Sequence, residues 1–167
     1  YNISNVDFYD LTAVIRKDWI IEFSKLLIEK KVNITWQLPS GTRSEALDEE
    51  VVPYLYRSGC RNLSYAPESG SRRLLKQIKK KIDPDRMIQS MKTSVRHGIN
   101  VKANIIFGFP GETHRDIWES YVFIARMAMS GCNDVSIWTY SPYPGTELFN
   151  ELRQSGGIGQ FDDAYFA

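Results

Sequence analysis

Strand-like and helix-like stretches alternate along this chain, and that alternation limits the folds open to it more than any other feature. Runs rich in β-branched and apolar residues occupy positions 3–8, 34–38, 63–65, 101–107 and 135–140. Amphipathic or capped stretches long enough for helices lie between them, at about 18–30, 48–58, 71–79, 84–96 and 116–129. Asp83 followed by Pro84 places a cap before a proline at the first helical position. Pro53 falls about a turn inside its stretch, so that helix is expected to begin late or to kink. Strands separated by helices pair in parallel through right-handed crossovers, which predicts an α/β protein with a parallel sheet, open or curved as part of a barrel.

The joins between helix and strand repeat a pattern. Ser58-Gly59-Cys60-Arg61-Asn62-Leu63-Ser64 and Ser130-Gly131-Cys132-Asn133-Asp134-Val135-Ser136 share one layout, and His97-Gly98-Ile99-Asn100-Val101 is a third version. Each ends a helix at glycine, buries one small or apolar residue and enters a strand. Cys60 and Cys132 are thereby read as small hydrophobes, and they form no metal-ligand spacing.

At the opposite strand ends the residues change character. Asn104-Ile105-Ile106-Phe107 runs into Gly108-Phe109-Pro110-Gly111-Glu112-Thr113, where side chains vanish twice, and Thr113 with Asp116 has the spacing of a capping box. Glycine at a strand's carboxyl end marks a tight turn or a backbone that something approaches closely. The other exits carry Asp10, the stretch 37–43, Glu68-Ser69-Gly70-Ser71, and Tyr140-Ser141-Pro142-Tyr143-Pro144-Gly145-Thr146. Ser69 or Ser71 has the position of a helix cap. Glu68 directly follows an apolar strand, where a carboxylate is poorly solvated unless it accepts hydrogen bonds from hydroxyls or an amino group. The Tyr140 turn is a rigid aromatic loop suited either to packing on its strand or to a flat heterocycle. Ligands of α/β folds gather at strand carboxyl ends, so this asymmetry favours a ligand site there.

Composition excludes little but sets the class. A chain of 167 residues buries roughly 70% of its unfolded surface when compact. With 21 basic and 20 acidic residues, nothing global points to nucleic acid or to a membrane surface. No apolar run approaches a membrane span, and two scattered cysteines fit a reduced, cytoplasmic setting.

Taken in order, Phe8-Tyr9-Asp10, Arg43, Ser58-Gly59-Cys60, Glu68-Ser69-Gly70-Ser71, Lys79-Lys80, Gly108-Phe109-Pro110-Gly111-Glu112-Thr113 and Pro142-Tyr143-Pro144-Gly145-Thr146 resemble radical SAM enzymes. The likeness is to the branch that often carries a cobalamin-binding domain, including the anaerobic magnesium-protoporphyrin ester cyclase and cobalamin-dependent methyltransferases. The resemblance implies a partial parallel (β/α) barrel, with residues 1–152 supplying strands 2 to 6 of a (β/α)6 TIM-like barrel and 153–167 a linker or the start of an extension. It also implies S-adenosylmethionine (SAM) and a [4Fe-4S] cluster as cofactors, and cobalamin in an upstream domain. The activity implied is reductive cleavage of SAM to a 5′-deoxyadenosyl radical. The implied partners are a small-molecule substrate and a reductant such as flavodoxin or ferredoxin.

Position by position, the resemblance places Asp10 at the methionine amino end, and Glu68 and Ser69 at the ribose and methionine moiety. Ile106, Gly108 and Phe109 fall beside adenine, with Tyr140, Ser141 and Pro142 on its other side. Arg43 and Lys102 become the cations for the methionine carboxylate. The family holds its cluster with three cysteines spaced C-x3-C-x2-C after the first strand, and no such triplet stands here. The expectation is a fragment whose first βα unit and cluster loop precede Tyr1, with a degenerate relative of the family as the alternative. Two other readings stay open: a phosphate at the helix start beyond 108–113, and RNA on the basic cluster Arg72, Arg73, Lys76, Lys79, Lys80 and Lys81. A partial barrel leaves an unpaired apolar edge beside 3–8. The isolated segment is therefore expected to dimerise or to be weakly soluble, and a monodisperse, stable monomer in sedimentation would contradict this.

Overall fold

The computed structural model describes residues 3–9, 14, 16–42 and 47–158. Five strands form one sheet in the order β1-β2-β3-β4-β5, every pair parallel. They are β1 (Asn5–Asp7), β2 (Thr35–Thr42), β3 (Cys60–Glu68), β4 (Asn100–Phe107) and β5 (Asp134–Thr139). Helices α1 (Lys17–Glu29), α2 (Val52–Arg57), α3 (Arg72–Gln77), α4 (Pro84–Arg96), α5 (His114–Met129) and α6 (Glu147–Gln154) complete the chain. Sequential order with all strands parallel is the wall of a partial barrel, as expected. No helix among the described residues is long and apolar enough to cross a membrane.

Local chemistry sets most of the boundaries. The Asp83 carboxylate accepts from the Asp85 and Arg86 amides at the start of α4, with Pro84 just inside. Pro53 occupies the first turn of α2, which begins only at Val52, so the late start predicted for this helix is what the chain adopts. Two strands run further than their apolar runs. β2 continues through Pro39 and Gly41 to Thr42, and β3 spans nine residues because polar Asn62 and Ser64 alternate with Leu63 and Tyr65 of the core. Both extensions pass irregularities in register, between Leu38 and Thr42 and between Tyr65 and Glu68. Pro67 is tolerated at such a place. The sequence reading also missed α6, whose Thr146 hydroxyl accepts from the Phe149 amide.

The core lies on one side of the sheet only. Trp36, Leu38, Leu63, Tyr65, Val101, Ala103 and Ile105 meet Ile20, Leu55, Met87, Met91, Phe123 and Met127 from the helices. Each large apolar side chain removed from water in this way contributes about 1.5–3 kcal/mol. The Tyr65 hydroxyl is satisfied inside it by Ser90 at 2.9 Å and Ser94 at 3.1 Å. Cys60 opens β3 and Cys132 precedes β5, both at strand amino ends, where their Sγ atoms donate to backbone carbonyls. This is the small-hydrophobe role read from the repeat.

One contact fixes how α5 lies over the β3–α3 turn. A Cβ built on Gly70 would sit 2.6 Å from the Glu119 carbonyl oxygen and from Phe123 Cβ, and 2.8 Å from Ser120 Cα. Backbone of α5 and of the turn touch there, and no methyl group fits between them. Gly70→Ala should cost about 2–3 kcal/mol in urea unfolding of the full-length protein; a loss below ~0.5 kcal/mol would show that α5 shifts freely.

Candidate functional site

Because every strand runs the same way, all the carboxyl ends reach one rim. The Glu68 turn, the Gly108 turn and the Tyr140 turn there enclose a single cleft of about 740 Å3. Glu68, Ile106, Phe109, Tyr140 and Ser141 line it, together with Lys80, Trp138 and the α6 residues Leu148 and Glu151. This volume falls in the range of small-molecule and cofactor sites.

Glu68 is delivered by an unusual backbone. The register breaks between Tyr65 and Glu68, and Glu68 takes φ 66, the left-handed region that favours glycine. Its carboxylate accepts from Lys80 Nζ at 2.9 Å. Lys80 comes back to the cleft because Lys79, also left-handed at φ 58, ends α3 and lets the Lys80 amide bond to the Leu75 carbonyl. Lys79 in turn pairs with Glu147 at the start of α6. Phe109 and Tyr140 are in ring contact, with centroids 4.8 Å apart at 36°. Adenine has no room between those two rings; they make one aromatic wall.

Behind the cleft a buried carboxylate ties the turns together. Asp116 is 2% exposed. It accepts from the Ser71 hydroxyl at 2.6 Å, from the Thr113 amide at 2.8 Å and from Arg73 Nε at 3.1 Å. Arg73 Nη2 closes a second contact on Asp116 and also donates to the Gly111 carbonyl at 2.9 Å. Gln77 Nε2 reaches the Pro110 carbonyl at 2.7 Å, and the Gly108 amide donates to Glu112 Oε2 at 2.5 Å. The expected capping box between Thr113 and Asp116 is present. The hydrogen bond from Arg73 is the largest cause holding the Asp116 carboxyl well below the usual carboxylate range, with Ser71 and Thr113 adding to it against burial.

The residues singled out in the sequence divide accordingly. Gly108, at φ 88, and Pro142 adjoin the cleft without lining it. Ser69 is fully buried and turned away from it: its hydroxyl meets Ser120 at 3.1 Å and accepts from the Ser71 amide. Its hydrogen bonds hold the turn together. Lys102 is misplaced, because it lies near the start of β4, 4.0 Å from Asp134, about 16 Å of strand from the rim. The cations that do reach the cleft are Lys79 and Lys80, which the sequence offered as part of a basic run and in the motif order that carries the resemblance. Asp10 and Arg43 lie outside the described residues. Two of the amides offered to a phosphate are already taken, since Glu112 holds the Gly108 amide and Asp116 the Thr113 amide. Four of the six cations offered to RNA are likewise spoken for: Arg72 by Asp85, Arg73 by Asp116, Lys79 by Glu147 and Lys80 by Glu68.

The sequence model of the radical SAM superfamily matches residues 2–124. The chain belongs to the radical SAM superfamily. An uncharacterized methyltransferase of Pyrococcus horikoshii is 29% identical over 150 residues, 89% of this chain and 31% of that protein. The anaerobic magnesium-protoporphyrin IX monomethyl ester cyclase of Rubrivivax gelatinosus is 24% identical over 158 residues, 94% of this chain and 28% of the cyclase. Among solved structures, the radical SAM methyltransferase TsrM of Kitasatospora setae, with cobalamin and a [4Fe-4S] cluster bound, superposes with a TM-score of 0.68 at 14% identity. That match covers 88% of this chain and 29% of TsrM. The chain thus spans less than a third of the length of either of these two relatives.

Within the superfamily's cofactor set, the residues described here fit one group and not the other. The cleft offers a nucleoside-sized volume, an aromatic wall, a carboxylate and an ammonium, which suits SAM. A [4Fe-4S] cluster needs thiolates. Cys60 and Cys132 sit at the far ends of the strands, burial pushes the Cys60 thiol up to about 12, and no metal-holding group of His, Cys, Asp or Glu occurs among the described residues. These two cysteines do not fit the cluster.

The Asp116 tie has a definite pH signature. Its folded-state pKa is depressed, so the stability it contributes is complete above the unfolded value of about 4 and fades as pH falls below that. Asp116→Asn in the full-length protein should remove about 3 kcal/mol at pH 7 and flatten the stability loss between pH 5 and pH 3. Parallel pH curves for variant and parent in urea unfolding would refute that role.

Proposed function

We propose that this segment is the SAM-binding part of an enzyme that reductively cleaves SAM, with a [4Fe-4S] cluster held by cysteines outside the segment. The observation that carries the reading is the convergence of Glu68, Phe109, Tyr140 and Lys80 on one cleft at the carboxyl ends of parallel strands. SAM, when bound beside a reduced cluster, supplies the 5′-deoxyadenosyl group as a hydrogen-abstracting radical. The chain's own residues bind, orient and shield it.

In this reading Tyr140, backed by Phe109 and flanked by Ile106, presents the surface against which adenine packs, with Ser141 and Pro142 continuing that side. Glu68 accepts from the ribose hydroxyls or the methionine ammonium, which replace part of its pairing with Lys80. Lys80 takes the role first given to Lys102 and meets the methionine carboxylate. Asp10 and Arg43 remain candidates for the methionine end on sequence grounds. Glu112 positions the Gly108 backbone, and Ser69 with Asp116 holds the turn that carries Glu68. A redox protein such as flavodoxin or ferredoxin supplies the electron, and cobalamin in a separate domain serves as methyl carrier if the product is methylated.

Equilibrium binding of SAM to the anaerobically prepared full-length protein tests the assignment. Tyr140→Ala and Glu68→Gln should each weaken SAM at least tenfold, about 1.4 kcal/mol or more, while Lys102→Met should leave it within twofold. Absence of SAM binding, or equal affinity in all three variants and the parent, would end this reading.

A further inference from the structure

The two faces of the sheet differ in chemical kind. Val101, Ala103 and Ile105 of β4 belong to the core under the helices. The alternating residues Lys102, Asn104 and Ile106 therefore turn to the opposite face, away from the helices. Cross-strand register extends that face sideways: Ser64 and Asp134 flank Lys102, Ser136 faces Asn104, and Trp138 faces Ile106. On β2 and β1 the same side carries Gln37, whose Nε2 donates to Asp7 at 2.8 Å.

Closed α/β barrels fill the corresponding space with branched apolar side chains packed in layers. Here, on β4 and β5, the apolar part of the face is its top, Ile106 with Trp138, and both residues line the cleft already described. Below them come amide and hydroxyl groups, then an ammonium and a carboxylate 4.0 Å apart. The side chains of Asn104 and Ser136 and the Ser64 hydroxyl make no hydrogen bond among the described residues. Covering them with apolar groups would leave those bonds unmade. From Ile106 down to Lys102 this graded surface runs about 13 Å.

We infer that the inner face of the sheet receives the substrate and selects an elongated, polyhydroxylated small molecule of the nucleoside or sugar class, with its reacting end beside Ile106 and Trp138. The inference rests on the SAM reading of the cleft and specifies the substrate chemistry of that same site. Asn104 and Ser136 pair with hydroxyl or amide groups in mid-molecule. A flat apolar ring system would meet hydrogen-bonding groups that it cannot satisfy, and it is rejected.

Saturation-transfer NMR on the full-length, SAM-loaded protein tests this with cytidine and maltose as polar probes and protoporphyrin IX as the apolar one. At least one polar probe should bind at millimolar concentration, and Asn104→Leu/Ser136→Val should weaken it tenfold or more with SAM affinity unchanged within twofold. If that variant does not fold, Asn104→Ala/Ser136→Ala should still lose at least fivefold. Failure of both polar probes to bind, binding unaltered in the folded variants, or tighter binding of protoporphyrin than of either polar probe would overturn the inference while leaving the cleft assignment intact. Absence of SAM binding to the parent protein would overturn both.

Discussion

A single buried carboxylate organises the functional edge of this domain. Asp116 lies at the start of α5 yet reaches Ser71 and Arg73 on the neighbouring unit, so the loop after β3 and the loop after β4 cannot move separately. Buried carboxylates are costly unless fully hydrogen-bonded, and this one is surrounded by donors. The close backbone approach at Gly70 works toward the same end. Residues that read as ordinary cap and turn chemistry thereby hold Glu68 and Phe109 at fixed positions around one cleft.

Membership in the radical SAM superfamily is consistent with that division of labour. Asp116 and the Arg73 guanidinium that covers it, with the buried hydroxyls of Ser69, Ser71 and Ser120, build the rim. The groups turned toward a ligand are different ones: the strained Glu68 carboxylate with Lys80, the charges of Lys79, Glu147 and Glu151, and an aromatic wall. The sheet repeats the contrast across its thickness, with a packed apolar layer under the helices and polar groups on the other side.

Much of the architecture was legible in the sequence because strand and helix periods alternate cleanly. A continuous apolar run at Ile105 to Phe107 marked β4, and Asp83-Pro84 and Thr113 with Asp116 marked helix starts that the fold retains. The extended parts of β2 and β3 were hidden, because Pro39, Gly41 and Pro67 signal turns and only an irregular register lets strands carry them. The cleft's three turns could be read from strand direction alone. Strand direction alone also put Lys102 at the amino end of a strand read over 101–107, away from the rim, whereas the return of Lys80 to the cleft after the left-handed Lys79 is a tertiary fact. Ser69 looked like a ligand contact because buried and exposed hydroxyls share one letter.

The left-handed backbone at Glu68 sets stability against chemistry at one position. A β-carbon there carries a conformational strain of about 1 kcal/mol that glycine would not feel. Random substitution toward glycine or asparagine would relax the chain and at the same time delete the acid. A lineage released from its reaction would therefore be expected to lose this carboxylate early, with thermodynamics assisting the loss.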